Sequence, residues 1–136
     1  MSETRKQEGF PKSERIVSQK LIDELFTSGQ SHSLAAFPLR AVYLLREEPC
    51  PAAAQVLISV PKRHFKHAVD RNRVKRQLRE AWRKNKQLLT DHLLEDKSVA
   101  LAFIWLSDQH LPTIEVEQRV VNLLRRMADK LQTHHS

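Results

Sequence analysis

Three segments of the chain repeat apolar residues at three- and four-residue intervals, and three shorter runs are densely apolar. The first periodic segment carries Leu21, Ile22, Leu25 and Phe26, with Ser18 placed to cap it and Gly29 to end it, so it reads as a helix. Residues 37–45 read as a strand, with Pro38 near its start, where a missing donor is tolerated. Pro49 and Pro51 mark a turn over residues 46–52. Residues 56–60 read as a second strand, stopped by Pro61, and residues 70–89 as a long helix. Residues 99–106 are apolar on both faces, the pattern of a strand inside a sheet. Pro112 and Thr113 open a last helix, with Thr113 as its cap and Glu115 and Glu117 near its positive end. Ile114, Val120, Val121, Leu124, Met127, Ala128 and Leu131 mark the face on which it packs.

The order helix, strand, strand, helix, strand, helix predicts an α+β fold, a two-layer sandwich of a small sheet with helices packed on it. The helix at 70–89 is then the crossover between the second and third of these strands. The 136 residues of the chain suit one domain, over 13–132, with a flexible lead-in at 1–12 and a short flexible tail at 133–136.

Charge changes this picture. The chain carries 23 Lys+Arg against 16 Asp+Glu, a net +7. Residues 62–86 hold eleven of those basic side chains and two acidic ones, Asp70 and Glu80, so this stretch is +9 and the other 111 residues are −2. A slightly acidic scaffold thus holds one concentrated basic element. A charge run is often just a solvated helix face, but repulsion within one this dense is costly without an anionic partner. A basic domain of this size most often meets nucleic acid or an anionic membrane surface. The longest apolar run, at 99–106, falls well short of the roughly 18–20 residues that span a bilayer, and no secretory signal precedes the first helix. These features predict an intracellular protein. The single cysteine, Cys50, rules out an internal disulfide, and the two glycines, Gly9 and Gly29, are too far apart for a phosphate-cradling loop.

At 100° per residue, with Arg71 at 0°, the positions Val74, Leu78, Ala81, Trp82, Leu88 and Leu89 form an apolar stripe. Lys75, Lys86, Arg79, Asn72, Arg83 and Arg76 fall beside it as one contiguous polar stripe, with Arg71 at its edge and Arg73 off it. Arginine forks grip phosphates with two hydrogen bonds and also stack on bases, and Asn72 adds a donor and an acceptor. Trp82 lies inside the apolar stripe, so burial outweighs base stacking as its role.

The run from Arg71 to Arg83, with Arg71, Asn72, Arg73, Lys75, Arg76, Arg79 and Glu80 at fixed places, then Ala81, Trp82 and Arg83, resembles the signature of the bacterial ribonuclease P protein subunit family. That pattern is Arg-Asn-Arg-x-Lys-Arg-x-x-Arg-Glu followed by a small residue, an aromatic and Arg. Lys62, Arg63 and Ala68 ahead of it, the helix ending at Gly29, and Phe37 also fit, so the resemblance covers residues 10–131. It implies a four-stranded mixed sheet, of which the sequence itself shows three strands, with a left-handed βαβ crossover through the basic helix. General rules would have predicted a right-handed one.

The resemblance further implies an accessory subunit of a cytoplasmic ribonucleoprotein. The holoenzyme is an endonuclease that removes the 5′ leader of precursor tRNA, with Mg2+ and with the catalytic groups on its RNA subunit. The protein would bind that RNA through Arg71, Asn72, Arg73, Lys75, Arg76, Arg79, Arg83, Lys62 and Arg63. It would hold the leader in a cleft with Phe26, Phe37, Ile22 and Arg40, where Ile22 and Arg40 stand at places that are often aromatic in the family. Phe26, Phe37 and Tyr43 could offer surfaces for stacking, against ordinary core packing, which is favoured for Phe26 and more so for Tyr43.

Other clusters point to no chemistry. His64 and His67 lack a third metal ligand, His134 and His135 sit in the tail, and Asp91, Glu95 and Asp96 flank a loop. Neither a catalytic centre nor a bound metal is expected of the polypeptide. A structural RNA-binding protein, such as a ribosomal one, would explain the basic helix but not the signature. A DNA-reading helix is disfavoured because Val74, Leu78 and Trp82 tie it to the core. Neither DNA nor a membrane is an expected partner.

Overall fold

The computed structural model describes residues 14–16, 18–47, 53–93 and 97–135, with side chains up to residue 131. In chain order the elements are α1 (Gln19–Thr27), β1 (His32–Ala36), β2 (Leu39–Arg46), β3 (Ala54–Ser59), α2 (Ala68–Asn85), α3 (Gln87–Thr90), β4 (Ser98–Trp105) and α4 (Thr113–His135). The strands form one sheet in the order β1-β2-β4-β3. β1 and β2, and β2 and β4, are antiparallel, while β3 and β4 run parallel, joined through α2.

β4 lies between β2 and β3, which is why its run is apolar on both faces. Alternation divides the sheet cleanly. Leu39, Ala41 and Tyr43 of β2 and Val99, Leu101, Phe103 and Trp105 of β4 face the main core with α2 and α4. Val42 and Leu44 of β2, with Ala100 and Ala102 of β4, face the other way, into a smaller cluster with Leu21 and Leu25 of α1. The sheet is therefore covered by α2 and α4 on one face and by α1 on the other.

Several expected boundaries move. Residues 37–45 are not one strand. Ala36 pairs with Leu39, and Phe37–Pro38, joined by a cis peptide, is the turn of a β1–β2 hairpin. The fourth strand is thus β1, an edge strand whose sequence HSLAA buries just Leu34. The second strand starts two residues earlier than expected, at Ala54. The long helix ends at Asn85 and resumes after Lys86 as a single turn, α3, which delivers Leu89 fully buried to the core. Asn85 and Lys86 are both drawn to other elements: Asn85 Nδ2 donates to Glu117 Oε2 at 2.9 Å and Lys86 Nζ to Glu14 Oε2 at 2.9 Å. Thr113 is the first helical residue of α4 rather than its cap, and its hydroxyl accepts from Gln77 Nε2 at 3.1 Å. α4 runs on to His135, so the backbone expected to be a tail from 133 is helical as far as 135. The lead-in at 1–12, Cys50 and Glu95 and Asp96 lie outside the described residues.

Ser18 caps α1, its hydroxyl accepting from the Leu21 amide at 3.3 Å, and Gly29 follows with φ +78, a conformation that other residues adopt at a cost.

Candidate nucleic-acid interface

α2 is held along its whole length. At its start, Arg71 Nη1 donates to the carbonyls of Phe65 at 2.8 Å and Lys66 at 3.0 Å, clamping the preceding loop. Phe65 stacks on His110, with ring centroids 4.5 Å apart, and His110 Nε2 lies 3.1 Å from Asp70 Oδ1. His64 Nδ1 lies 2.7 Å from Asp108 Oδ1. The loop before α2 is thereby knitted to the loop between β4 and α4. In mid-helix Gln77 donates to the Leu111 carbonyl at 3.1 Å and to Thr113. Near the end, Trp82 Nε1 donates to Glu14 Oε1 at 3.2 Å. Val74, Leu78 and Trp82 have no exposure at all, and Ala81 is buried. The apolar stripe read from the sequence is therefore the docked face.

The neighbouring face carries the cations. Asn72, Arg76 and Arg79 are exposed and Lys75 and Arg83 half-buried, so these five form one side of a fixed rod. Arg83 Nε donates to Glu80 Oε2 at 3.0 Å. This bond and the Arg83 charge hold the Glu80 carboxyl below its usual range. Arg73 is exposed on the far side of Glu80, as its angle requires. Lys62 and Arg63 are exposed in the turn ahead of the helix. Two members of the expected stripe differ. Lys86 leaves it, because the helix has ended and its ammonium pairs with Glu14. Arg71 is half-buried with its guanidinium on backbone carbonyls, so it braces the helix start.

The α1 face of the sheet is incompletely covered. Ile22 and Phe26, one helical turn apart, share a side of α1; Ile22 fringes the smaller cluster together with Leu57 and Ile104. Phe26 is 45% exposed, so it is not core. Arg40 stands exposed on β2, opposite Ile104 of β4 and Ala35 of β1, with its Nε donating to Ser33 Oγ at 2.9 Å. The α1 side of the sheet is thus a lane on which Ile22 and Ile104 fringe the smaller cluster, Arg40 lies on the same side by strand alternation, and Phe26 is exposed one turn along α1. Phe37 does not lie on the strand that continues into this lane. It sits at the hairpin tip, 69% exposed, its carbonyl held at 3.0 Å by Arg119 of α4. Tyr43 is core, 2% exposed, and burial raises its hydroxyl pKa. Among the described residues no group of three or more His, Cys, Asp or Glu side chains could hold a metal ion, and no helix is long and apolar enough to cross a membrane.

Residues 10–128 match the profile of the family Ribonuclease P. The chain belongs to that family. It is 42% identical over 114 residues to the ribonuclease P protein component of Porphyromonas gingivalis, covering 83% of this chain and 81% of that one. It is 34% identical over 84 residues to the ribonuclease P protein component of Nitrosococcus oceani, covering 62% of this chain and 66% of that one. Its fold is that of the RNase P protein of Staphylococcus aureus, with a TM-score of 0.63 at 20% identity over 86% of this chain and 96% of the other. The RNase P protein of Thermotoga maritima superposes with a TM-score of 0.60 at 20% identity, covering 80% of this chain and 94% of that one. As a ribonuclease P protein component the chain is a subunit of a tRNA-processing ribonucleoprotein, and its partner is RNA.

Within the family signature, then, the side chains divide by task. Val74, Leu78, Ala81 and Trp82 dock the helix; Asn72, Lys75, Arg76, Arg79 and Arg83 face outward. The sequence pattern did not reveal Glu14, which receives both Trp82 and Lys86, or Gln77, whose amide fastens α2 to α4. Glu14 is 68 residues away from Trp82, and no local spacing encodes such a contact.

Proposed function

We propose that the chain acts in a cytoplasmic ribonuclease P holoenzyme whose RNA subunit, with Mg2+, carries the catalytic groups and cuts the 5′ leader from precursor tRNA. In this reading Asn72, Arg73, Lys75, Arg76, Arg79 and Arg83, with Lys62 and Arg63 ahead of them and Arg71 bracing the helix start, bind the catalytic RNA. The observation that carries it is the rod itself: α2 is fixed at its start, middle and end, so the backbone positions that bear its arginines stand at set spacing. A repeating phosphate backbone is the anion that such a row fits, and little backbone ordering remains to oppose binding.

The single-stranded leader runs over the open α1 face. Single strands are held by cationic grooves with surfaces on which bases stack, and Ile22, Phe26 and Arg40 supply both. Phe37 stands apart from this lane, exposed at the hairpin tip, and in this reading meets a leader that runs on past the sheet edge. The test is the affinity of the reconstituted holoenzyme for precursor and for mature tRNA. Precursor tRNA should bind more tightly, and Phe26→Ala should erase that preference without weakening assembly with the catalytic RNA. Equal losses for both tRNAs would remove Phe26 from the leader site.

A further inference from the structure

α2 has a second polar side. Between it and the start of α4 runs a groove of about 500 Å³, lined by Val69, Asp70, Arg73, Arg76, Gln77, Glu80 and Thr113. That volume is in the range of small-ligand sites, enough for one nucleotide and too small for a duplex. Three features give it a chemistry. Gln77 is more than nine-tenths buried, its amide nitrogen is fixed by Leu111 and Thr113, and its side-chain oxygen has no partner. Val69 is a large apolar side chain left 78% exposed at the rim. Arg73 and Arg76, one helical turn apart, are both exposed, and Arg76 also belongs to the outward cationic face.

Neither of the two carboxylates in the lining is unpartnered: Glu80 is drawn toward Arg83, and Asp70 Oδ1 lies 3.1 Å from His110 Nε2. We infer that the groove between α2 and α4 receives a single unpaired nucleotide of the RNA bound along the cationic face. Its base packs against Val69 and meets the polar floor at Gln77, and its flanking phosphates are gripped by Arg73 and Arg76. This explains why Arg73 points away from the other cations: the RNA strand passes over the helix crest instead of following one side. Continuity through Arg76 with a phosphate-binding face favours RNA over a protein occupant. The inference rests on the proposed binding of catalytic RNA by α2.

The test is Val69→Ser in the full-length protein, bound to a bacterial ribonuclease P RNA, with Arg79→Ala alongside. Val69 is exposed and uncharged, so the substitution should leave melting and the salt slope of binding unchanged. Affinity for the RNA should fall about fivefold, as expected for losing one base-packing surface. Dimethyl sulfate footprinting should show one unpaired base losing its protection while the others persist. Parent-like affinity, or weaker binding with every base still protected, would overturn the inference. If Arg79→Ala also bound like the parent, the RNA-binding role of α2 itself would fall; if Val69→Ser alone were neutral, that role would stand and the groove would be left to a protein contact.

Discussion

Trp82 and Tyr43 are aromatic residues in or near the basic and strand segments, and each could have met a base; the structure buries both. Trp82 has no exposure, meets Phe103 edge-on with centroids 6.4 Å apart, and satisfies its indole N–H on Glu14. Trp82→Ala should cost roughly 3–5 kcal/mol, seen as a large drop in melting temperature. A variant melting like the parent but binding RNA poorly would return Trp82 to the interface. Tyr43 offers a pH test. Burial raises its pKa above the ordinary 10.0, so the folded state holds the phenolic proton more tightly than the unfolded chain does. Its contribution is therefore intact below pH 10 and is lost as pH rises through the raised folded value. Tyr43→Phe, which cannot ionise, should lose less stability than the parent above about pH 10 in alkaline unfolding curves. Parallel curves for the two proteins would contradict this.

At the scale of elements, α2 is a rod with a docked face, a cationic face and a groove face. The first two were legible because a 100° step sorts a strongly two-sided helix without knowledge of its neighbours. Arg76→Ala and Arg79→Ala should each lower the salt slope of RNA binding by about one unit, whereas Lys86→Ala should leave it unchanged. Lys86 was misplaced by the same arithmetic, since the helix stops one residue before it and Glu14 takes its ammonium. If salt-dependent titrations showed Lys86→Ala matching the arginine variants, the helix break would be wrong. α1 and α4 were legible from their periodicity, and the Ser18 cap from its position. β1 was not, because an edge strand with one buried residue in five has no alternation to detect, and Pro38 belongs to a turn rather than to a strand start.

In the proposed reading the whole molecule has two working faces, separated by the sheet. α2 and its groove lie on the side of the main core, and the lane beside α1 lies on the other. A protein built this way can hold two RNAs at once without their phosphates competing for the same cations. The faces should therefore be separable by mutation. Phe26→Ala and Phe37→Ala should melt near the parent, since both side chains are exposed, and should impair precursor tRNA binding without affecting assembly. Arg79→Ala should do the reverse. Of these two proposed sites, charge density and signature point to the first in the sequence. The second rests mainly on resemblance, because Phe26 is one exposed aromatic on an otherwise ordinary amphipathic helix and Arg40 and Ile104 arrive from separate strands. The central claim, that this chain supports RNA-catalysed leader removal, is tested most directly by cleavage of precursor tRNA by a bacterial ribonuclease P RNA at low Mg2+, with and without the protein. The account predicts 5′-mature tRNA with the protein present and little or none without it. Equal cleavage in both reactions, at protein concentrations that saturate the RNA, would contradict it.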